Sequence, residues 1–180
     1  MKTLNIPTLK IVERYECDGQ KGVKTEDVNY QKDKIYVSHN SLYSDSKALV
    51  DKLSRRFFET KEPRVSSEYE EFRYRNRVDE ITNFDDFLHQ IGKDLEFVSQ
   101  QKVVIDFDAY FFGTERDSKD SAIDYKIIDF DLIRQVKNYS VQEIYKENSL
   151  EFRRAIEGFI RYFITEANQS TYLEKLDTRF

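Results

Sequence analysis

Six apolar residues spaced three or four positions apart between 84 and 98 constrain the fold more than any other feature of this sequence. Such spacing places side chains on one face of an α-helix, and a helix with one apolar face must pack against a partner surface. Asn83 precedes this stripe and is the expected N-cap. The residues of the stripe are Phe84, Phe87, Leu88, Ile91, Leu95 and Val98.

A second stripe of the same kind lies in the C-terminal third of the chain. Ser140 and Glu143 have the spacing of a capping box, and Ser149 is a second candidate N-cap, so we expect a helix to start at each serine. A short helix is expected after Ser170. The apolar residues of the longest helix are Phe152, Ile156, Phe159, Ile160, Phe163 and Ala167.

Strands are predicted where β-branched residues or period-two alternation occur. Segments 102–112 and 122–133 flank a polar tip at 113–121, so we expect a long β-hairpin there. Earlier in the chain, segments 8–17 and 34–39 are also expected to be strands.

Two further elements are expected between these groups. Ser44 or Asp45 can cap a helix that runs to about Phe58, and 71–78 alternates as a strand, although its Glu-rich approach leaves a helix possible. Strands and helices are thus segregated, which predicts a single α+β domain over residues 1–180. It would have N-terminal strands and helices, an acidic β-hairpin at about 102–133 and a helical C-terminal third.

The composition indicates a folded chain and limits the classes of molecule that it is expected to bind. Fourteen Phe and twelve Tyr provide large areas for burial, and the net charge of −5 disfavours sequence-independent binding to nucleic acid. Cys17 is the single cysteine, so no disulfide within the chain is expected. No apolar run reaches the length of a signal peptide or a membrane span, so we expect a cytoplasmic protein without a membrane partner.

A short repeat in the expected hairpin is the first candidate functional feature. Ile-Asp-Phe-Asp occurs at 105–108 and again at 128–131, and period-two alternation would place the four aspartates on one face of the ribbon. These residues are Asp106, Asp108, Asp129 and Asp131. Like charges on one face repel, so we expect water, arginines, a metal ion or a basic partner to offset them.

The clustered aspartates are open to three interpretations: a solvated acidic face, a protein-docking face, or a site for Mg²⁺ in a nuclease. As a docking face it would include Glu115, Asp117 and Asp120 at the tip. Asp106 with the later Asp124-Tyr125-Lys126 is also similar to the Asp…Asp/Glu-x-Lys arrangement of restriction-type nucleases.

A basic segment precedes the acidic part of the chain. Residues 52–77 contain eight basic residues against five acidic ones, whereas 79–131 contain five against fourteen. Arg73, Arg75 and Arg77 would share one strand face and could bind phosphate. Alternatively, they neutralise the aspartate face within the same domain.

Most enzyme signatures are missing from the sequence. It has no phosphate-cradling glycine loop, no Gly-x-Ser-x-Gly, no His-Glu-x-x-His and no dinucleotide fingerprint. One cysteine and two histidines also argue against a structural zinc site. A nuclease that binds its metal ion through carboxylates alone remains a possible function.

The chain resembles the type II anti-CRISPR proteins of phages and mobile elements. The resemblance lies in its length, its excess of acidic residues, its acidic hairpin and the residue composition of stretches such as Leu9-Lys-Ile-Val-Glu-Arg-Tyr15. That resemblance implies an inhibitor of a Cas9-type effector, which holds nucleic acid in a basic channel, and no cofactor. The hairpin carboxylates would be its contact residues.

Two other functions remain as alternatives. One is a metal-dependent nuclease acting on RNA, such as guide RNA, with Mg²⁺ on the four aspartates as catalytic residues and Arg73, Arg75 and Arg77 on phosphates. The other is a structural or regulatory protein of a mobile element, dimerising through the aromatic surface at 69–74.

Overall fold

The computed structural model describes residues 6–8, 10–17, 20–26, 33–38, 75–128 and 132–180. The helix expected at 45–58 lies outside these residues. Three α-helices are described: α1 (Phe84–Gln100), α2 (Val141–Phe163) and α3 (Glu166–Arg179). The described residues also form nine strands: β1 (Ile11–Cys17), β2 (Gln20–Thr25), β3 (Lys34–Ser38), β4 (Glu80–Ile81), β5 (Val103–Ile105), β6 (Tyr110–Glu115), β7 (Asp120–Ser121), β8 (Asp124–Ile127) and β9 (Ile133–Gln135).

The strands form small sheets, which confirms the predicted α+β class. The largest described sheet has the order β3-β6-β8 and is antiparallel throughout. β1 pairs with β2 and β5 pairs with β9, both antiparallel, while β4 and β7 form a parallel pair. Of the described helices, α1 precedes the hairpin and α2 and α3 follow it, so they lie mainly in the C-terminal half of the chain.

The long hairpin is present but interrupted. β6 pairs with β8 from Tyr110 opposite Ile127, and β5 pairs with β9 from Ile105 opposite Ile133. Between these two ladders the outgoing strand turns into a 3-10 helix at Phe107–Ala109. The register also shifts there, because four residues separate the ladders on one strand and five on the other.

The hairpin packs into the core instead of projecting from it. Phe112 on β6 is fully buried, and its ring centroid lies 5.4 Å from that of Phe159 on α2 and 6.3 Å from that of Phe87 on α1. Tyr110, Tyr125 and Phe152 join the same aromatic cluster. The apolar face of β6 and β8 is therefore the surface that the helical stripes cover, and burial of these rings stabilises the fold.

The C-terminal helices differ from the prediction in two respects. Ser140 and Glu143 do form a capping box at the start of α2, as predicted. The helix then continues through Ser149 to Phe163, so the second N-cap expected at Ser149 is wrong. Ile144 and Phe152 are both fully buried on either side of Ser149, and the continuous apolar stripe favours one helix over two. Ala167 belongs to α3, which begins before Ser170.

Two asparagines, one buried and one half-buried, fix the helices to the strands. Asn148 on α2 accepts a hydrogen bond from Ile105 N at 2.9 Å and donates to Val103 O at 2.9 Å, so its amide pairs with the free edge of β5. Asn83 precedes α1 as predicted, but its side chain makes no cap bond. It pairs instead with both backbone groups of Ile123, at 2.8 and 2.9 Å.

Segment 71–78 is not a strand where the structure describes it. Arg75 is helical, and Val78 forms an isolated parallel bridge with Ile164. The residues before Arg75 in this segment lie outside the described part. None of the helices described in the chain is long and apolar enough to cross a bilayer.

Candidate binding surfaces at the hairpin tip and the α1–β8 cleft

The turn of the hairpin exposes three carboxylates. Glu115 ends β6, Asp117 lies in the turn and Asp120 begins β7, and all three are exposed. None of the three carboxylates forms a hydrogen bond or an ion pair within the described chain. Arg116 and Lys119 alternate with them, while Glu80 lies opposite Asp120 in the parallel ladder. This surface, residues 115–120, is called the tip below.

Backbone hydrogen bonds hold the tip in place. Glu115 N donates to Ser121 Oγ at 2.8 Å, and Lys119 O accepts from Asp79 N at 2.7 Å. Lys119 Nζ donates to Arg77 O at 3.1 Å. Asp117 has a φ of 58°, a left-handed conformation that aspartate tolerates better than most residues. The tip carboxylates are therefore carried by a turn whose backbone is tied to β4.

Asp106 and Asp108 do not share a strand face, so the period-two prediction is wrong at this point. Asp106 is the N-cap of the 3-10 helix and accepts a hydrogen bond from Asp108 N at 3.2 Å. Both side chains are half-buried. The short polar side chain of Asp106 stabilises the turn by capping it, which competes with the extended strand. Asp129 and Asp131 lie outside the described residues.

The 3-10 turn also contacts α2. Phe107 N donates to Glu151 Oε2 at 3.2 Å, and the guanidinium carbon of Arg154 lies 4.0 Å from the centroid of the Phe107 ring. Arg154 in turn donates to both oxygens of Glu151. Arg154 on α2 therefore lies beside the turn that carries Asp106 and Asp108, and its carboxylate partner is Glu151.

The predicted phosphate-binding arginines are not aligned on one strand. Arg75 is helical and exposed, whereas Arg77 is half-buried and its Nε donates to Tyr162 O at 3.4 Å. Arg73 lies outside the described residues. The two described arginines thus do not follow the alternating pattern on which the phosphate-binding hypothesis depended.

No three carboxylate, histidine or cysteine side chains within the described ranges form a group that could hold a metal ion. Asp124 of the nuclease-like pattern forms a salt bridge with Lys34 at 2.5 Å, and Lys126 forms one with Glu26 at 3.0 Å. The hydrogen bond from Lys126 holds the pKa of Glu26 below its usual range. Both members of the Asp-x-Lys pattern are therefore paired with residues elsewhere in the protein, Asp124 with β3 and Lys126 with the residue that follows β2.

Gly113 allows two side chains to meet across the central strand. Tyr36 on β3 and Asp124 on β8 are its two cross-strand partners. A Cβ at Gly113 would lie 2.4 Å from Asp124 Oδ1 and 2.6 Å from Tyr36 Cε1, so only glycine fits. Burial first, and then the charge of Asp124, raises the pKa of Tyr36.

A cleft of about 540 Å³ lies between the first turns of α1 and the start of β8. Its helical wall is a single stripe of α1, with Asp86, Gln90 and Asp94 at four-residue intervals. Phe87, Ile123 and Tyr125 provide apolar surface, and Asn83, Pro7 and Asp124 complete the lining. This is called the α1–β8 cleft below.

The α1–β8 cleft contains an oriented carboxylate. Asp94 accepts hydrogen bonds from the Tyr125 hydroxyl at 2.7 Å and from Gln90 Nε2 at 2.9 Å. Burial, followed by the hydrogen bond to Asp94, raises the pKa of Tyr125, so the phenol stays protonated and continues to donate. Two neutral donors therefore fix the direction of the Asp94 carboxylate. Asp86 is exposed and has no partner in the described chain.

Sequence reasoning missed this cleft. The regular spacing of Asp86, Gln90 and Asp94 was visible as the polar face of a helix, but nothing in that spacing indicates which strand lies beside it. Only the packing of Tyr125 against α1 turns the polar face into one wall of a cleft.

The fold and these surfaces define an α+β protein with an acidic tip and an acidic cleft next to the same hairpin. No protein-family model, curated protein or solved structure matches the chain.

Proposed function

We propose that this protein is a binding inhibitor that presents the tip carboxylates to a basic nucleic-acid-binding protein, such as a Cas9-type effector with its guide RNA. One observation carries the proposal: Glu115, Asp117 and Asp120 are exposed, without partners in the described chain, on a turn held by backbone hydrogen bonds. Fixed carboxylates of this kind can occupy sites where a basic channel binds phosphates.

The resemblance to anti-CRISPR proteins supports the choice of partner, and the physical chemistry supports the mode of action. An acidic surface is attracted to a basic channel at a distance, which accelerates association, and this attraction weakens as salt rises. Binding in the channel then excludes nucleic acid. The proposed site of action is the cytoplasm of a bacterial host, and the proposed source is a phage or mobile element.

The nuclease alternative depends on residues that the structure does not describe. Asp106 caps a turn, and Asp124 and Lys126 are paired elsewhere, so a Mg²⁺ site would need Asp129 and Asp131. The function test therefore includes a direct readout of RNA integrity.

The test is a DNA-cleavage assay with a purified Cas9–guide RNA complex and increasing amounts of the protein, with both nucleic acids run on a denaturing gel. We expect DNA cleavage to be blocked while the guide RNA stays intact. A variant with Glu115→Gln, Asp117→Asn and Asp120→Asn should need at least about tenfold more protein for the same inhibition.

The matched control changes three exposed glutamates outside the tip, Glu13→Gln, Glu96→Gln and Glu174→Gln, which alters net charge by the same amount. Equal loss of potency in both variants would contradict a role for the tip. Shortened guide RNA that depends on divalent metal and is protected by EDTA would contradict the inhibitor proposal and favour the nuclease.

A further inference from the structure

We propose that the α1–β8 cleft binds a basic segment of the protein partner, with one arginine or lysine near Asp86 and another near Asp94. The cleft adjoins the tip through the hairpin itself, because Asp124 pairs with Gly113, two residues before Glu115. The identity of the partner rests on the proposed function. The chemistry of the ligand, a basic peptide segment, is inferred from the cleft alone.

The charges around the cleft favour a cation. Asp86, Asp94 and Asp124 line it, and Lys34 neutralises only Asp124. Asp86 makes no contact with a cation in the described chain, and Asp94 is held by the neutral groups of Gln90 and Tyr125. Two carboxylates are therefore left without counter-charges at the wall of a concave site, which concentrates negative potential there.

The apolar surface of the cleft favours an organic cation. Phe87 and Tyr125 line the cleft but are largely buried, each only 6% exposed, so they contribute a small apolar surface. Arginine and lysine side chains can pack their aliphatic stems on such a surface while the charged group reaches a carboxylate.

The distance between the two carboxylates indicates how far apart the two positive charges of the ligand must be. Asp86 and Asp94 are eight residues apart on α1, which corresponds to about 12 Å along a helix. One metal ion or one guanidinium group cannot span this distance. In an extended peptide, residues four positions apart are separated by about 13 Å, so basic residues at positions i and i+4 match the two carboxylates.

The first measurement is a titration of ¹⁵N-labelled protein with the peptide acetyl-Gly-Arg-Gly-Ser-Gly-Arg-Gly-amide, followed by amide chemical shifts. We expect the largest shifts at residues 83–94 and 123–125. A peptide of the same composition with adjacent arginines should bind about threefold or more weakly, because it cannot reach both carboxylates. Equal affinity for the two peptides, or shifts centred elsewhere, would overturn the proposal.

The second measurement compares two charge-matched variants on α1. Asp86→Asn should weaken binding of the spaced peptide by about fivefold, whereas Glu96→Gln, on the same helix but outside the cleft, should change it less than twofold. Asp86 is exposed and unpaired, so its replacement is not expected to unfold the protein, which circular dichroism would verify. Equal weakening by both variants would mean unspecific charge attraction and would overturn the proposal.

The same variants separate failure of this inference from failure of the proposed function. If the tip variant loses inhibition of the Cas9-type effector while Asp86→Asn retains it fully, the cleft proposal is wrong and the inhibitor proposal stands. If the protein fails to inhibit but binds the spaced peptide in the cleft with the expected loss in Asp86→Asn, the cleft proposal stands and the effector is the wrong partner.

Discussion

The hydroxyl of Tyr125 on β8 donates a hydrogen bond of 2.7 Å to Asp94 on α1. This bond joins the hairpin to the first long helix across 31 positions of sequence. It also orients the carboxylate in the α1–β8 cleft, so one contact contributes to both the stability of the fold and the geometry of the candidate site.

The first prediction concerns this pair. Tyr125→Phe should lower the free energy of unfolding by about 1–2 kcal/mol, because a part-buried hydrogen bond to the Asp94 carboxyl group is lost. Asp94→Asn should also destabilise, and the double variant should lose less than the sum of the two, with a coupling of about 1 kcal/mol. Urea denaturation followed by circular dichroism measures all three.

Tyr139→Phe is the matched control, because Tyr139 is exposed and its hydroxyl has no partner in the described chain. It should change the free energy of unfolding by less than about 0.5 kcal/mol. Strict additivity in the Tyr125–Asp94 cycle would contradict the hydrogen bond.

The second prediction concerns alkaline pH. Burial is the largest cause that raises the pKa of Tyr36, Tyr110 and Tyr125 in the folded protein. In the unfolded chain these phenols ionise near their ordinary pKa of about 10. Their contribution to stability is therefore fully present below about pH 10 and is lost as the pH rises further, since the unfolded state then releases protons that the folded state retains.

Absorbance at 295 nm and far-ultraviolet circular dichroism, recorded together during a titration to high pH, test this. We expect part of the phenolate signal to appear only together with loss of secondary structure. In guanidinium chloride all twelve tyrosines should titrate in a single step near pH 10. Complete ionisation while the circular dichroism is still native would contradict the prediction.

The third prediction contrasts two buried tyrosines. The hydroxyl of Tyr110 is buried without a hydrogen-bond partner in the described chain, whereas that of Tyr172 accepts from Ile81 N at 2.7 Å. Tyr110→Phe removes an unsatisfied polar group and should leave stability unchanged or raise it by up to about 1 kcal/mol. Tyr172→Phe leaves a buried N–H without an acceptor and should cost about 1–3 kcal/mol.

Thermal and urea denaturation of these two single variants decide the matter, because both substitutions remove the same atom. A larger loss of stability for Tyr110→Phe than for Tyr172→Phe would show that the Tyr110 hydroxyl has a partner in solution.

The fourth prediction contrasts two glycines. Gly113→Ala would bring a Cβ to 2.4 Å from Asp124 Oδ1 and 2.6 Å from Tyr36, and should destabilise by about 1–3 kcal/mol because β6 lies in the middle of its sheet. Gly92→Ala on α1 meets only the flexible end of Arg179 at 3.4 Å. It should stabilise by about 0.5–1 kcal/mol through reduced backbone entropy in the unfolded state.

Melting temperatures and urea midpoints of the two alanine variants provide the check. Unchanged stability in Gly113→Ala would mean that Tyr36 and Asp124 separate at little cost, and the close approach across β6 would then not be a constraint on the fold.

Much of the fold was predictable because its signals are local. The stripe from Phe84 to Val98 is buried as predicted, since helical spacing alone determines which side chains share a face. The capping box of Ser140 and Glu143 depends on four consecutive residues and is also confirmed. The antiparallel pairing of the hairpin follows from two alternating segments around a polar turn.

The predictions that failed involve competition between local patterns. Asp106 and Asp108 alternate as in a strand, but capping by Asp106 stabilises a 3-10 turn instead. Ser149 has the sequence context of an N-cap, but packing of Ile144 and Phe152 on the same core keeps the helix continuous. In each case the sequence pattern is compatible with the predicted structure, but the structure formed by the competing interaction has the lower free energy.

The sequence by itself determined the helical faces, the capping box and the hairpin, since each depends on residues within one turn of a helix or along one strand. Only the tertiary structure decided that Asp94 meets Tyr125, that Gly113 lets Tyr36 approach Asp124, and that the hairpin packs on the helices. These contacts join residues far apart in the chain. Their geometry follows from strand register and the packing of a shared core, which no short stretch of sequence encodes.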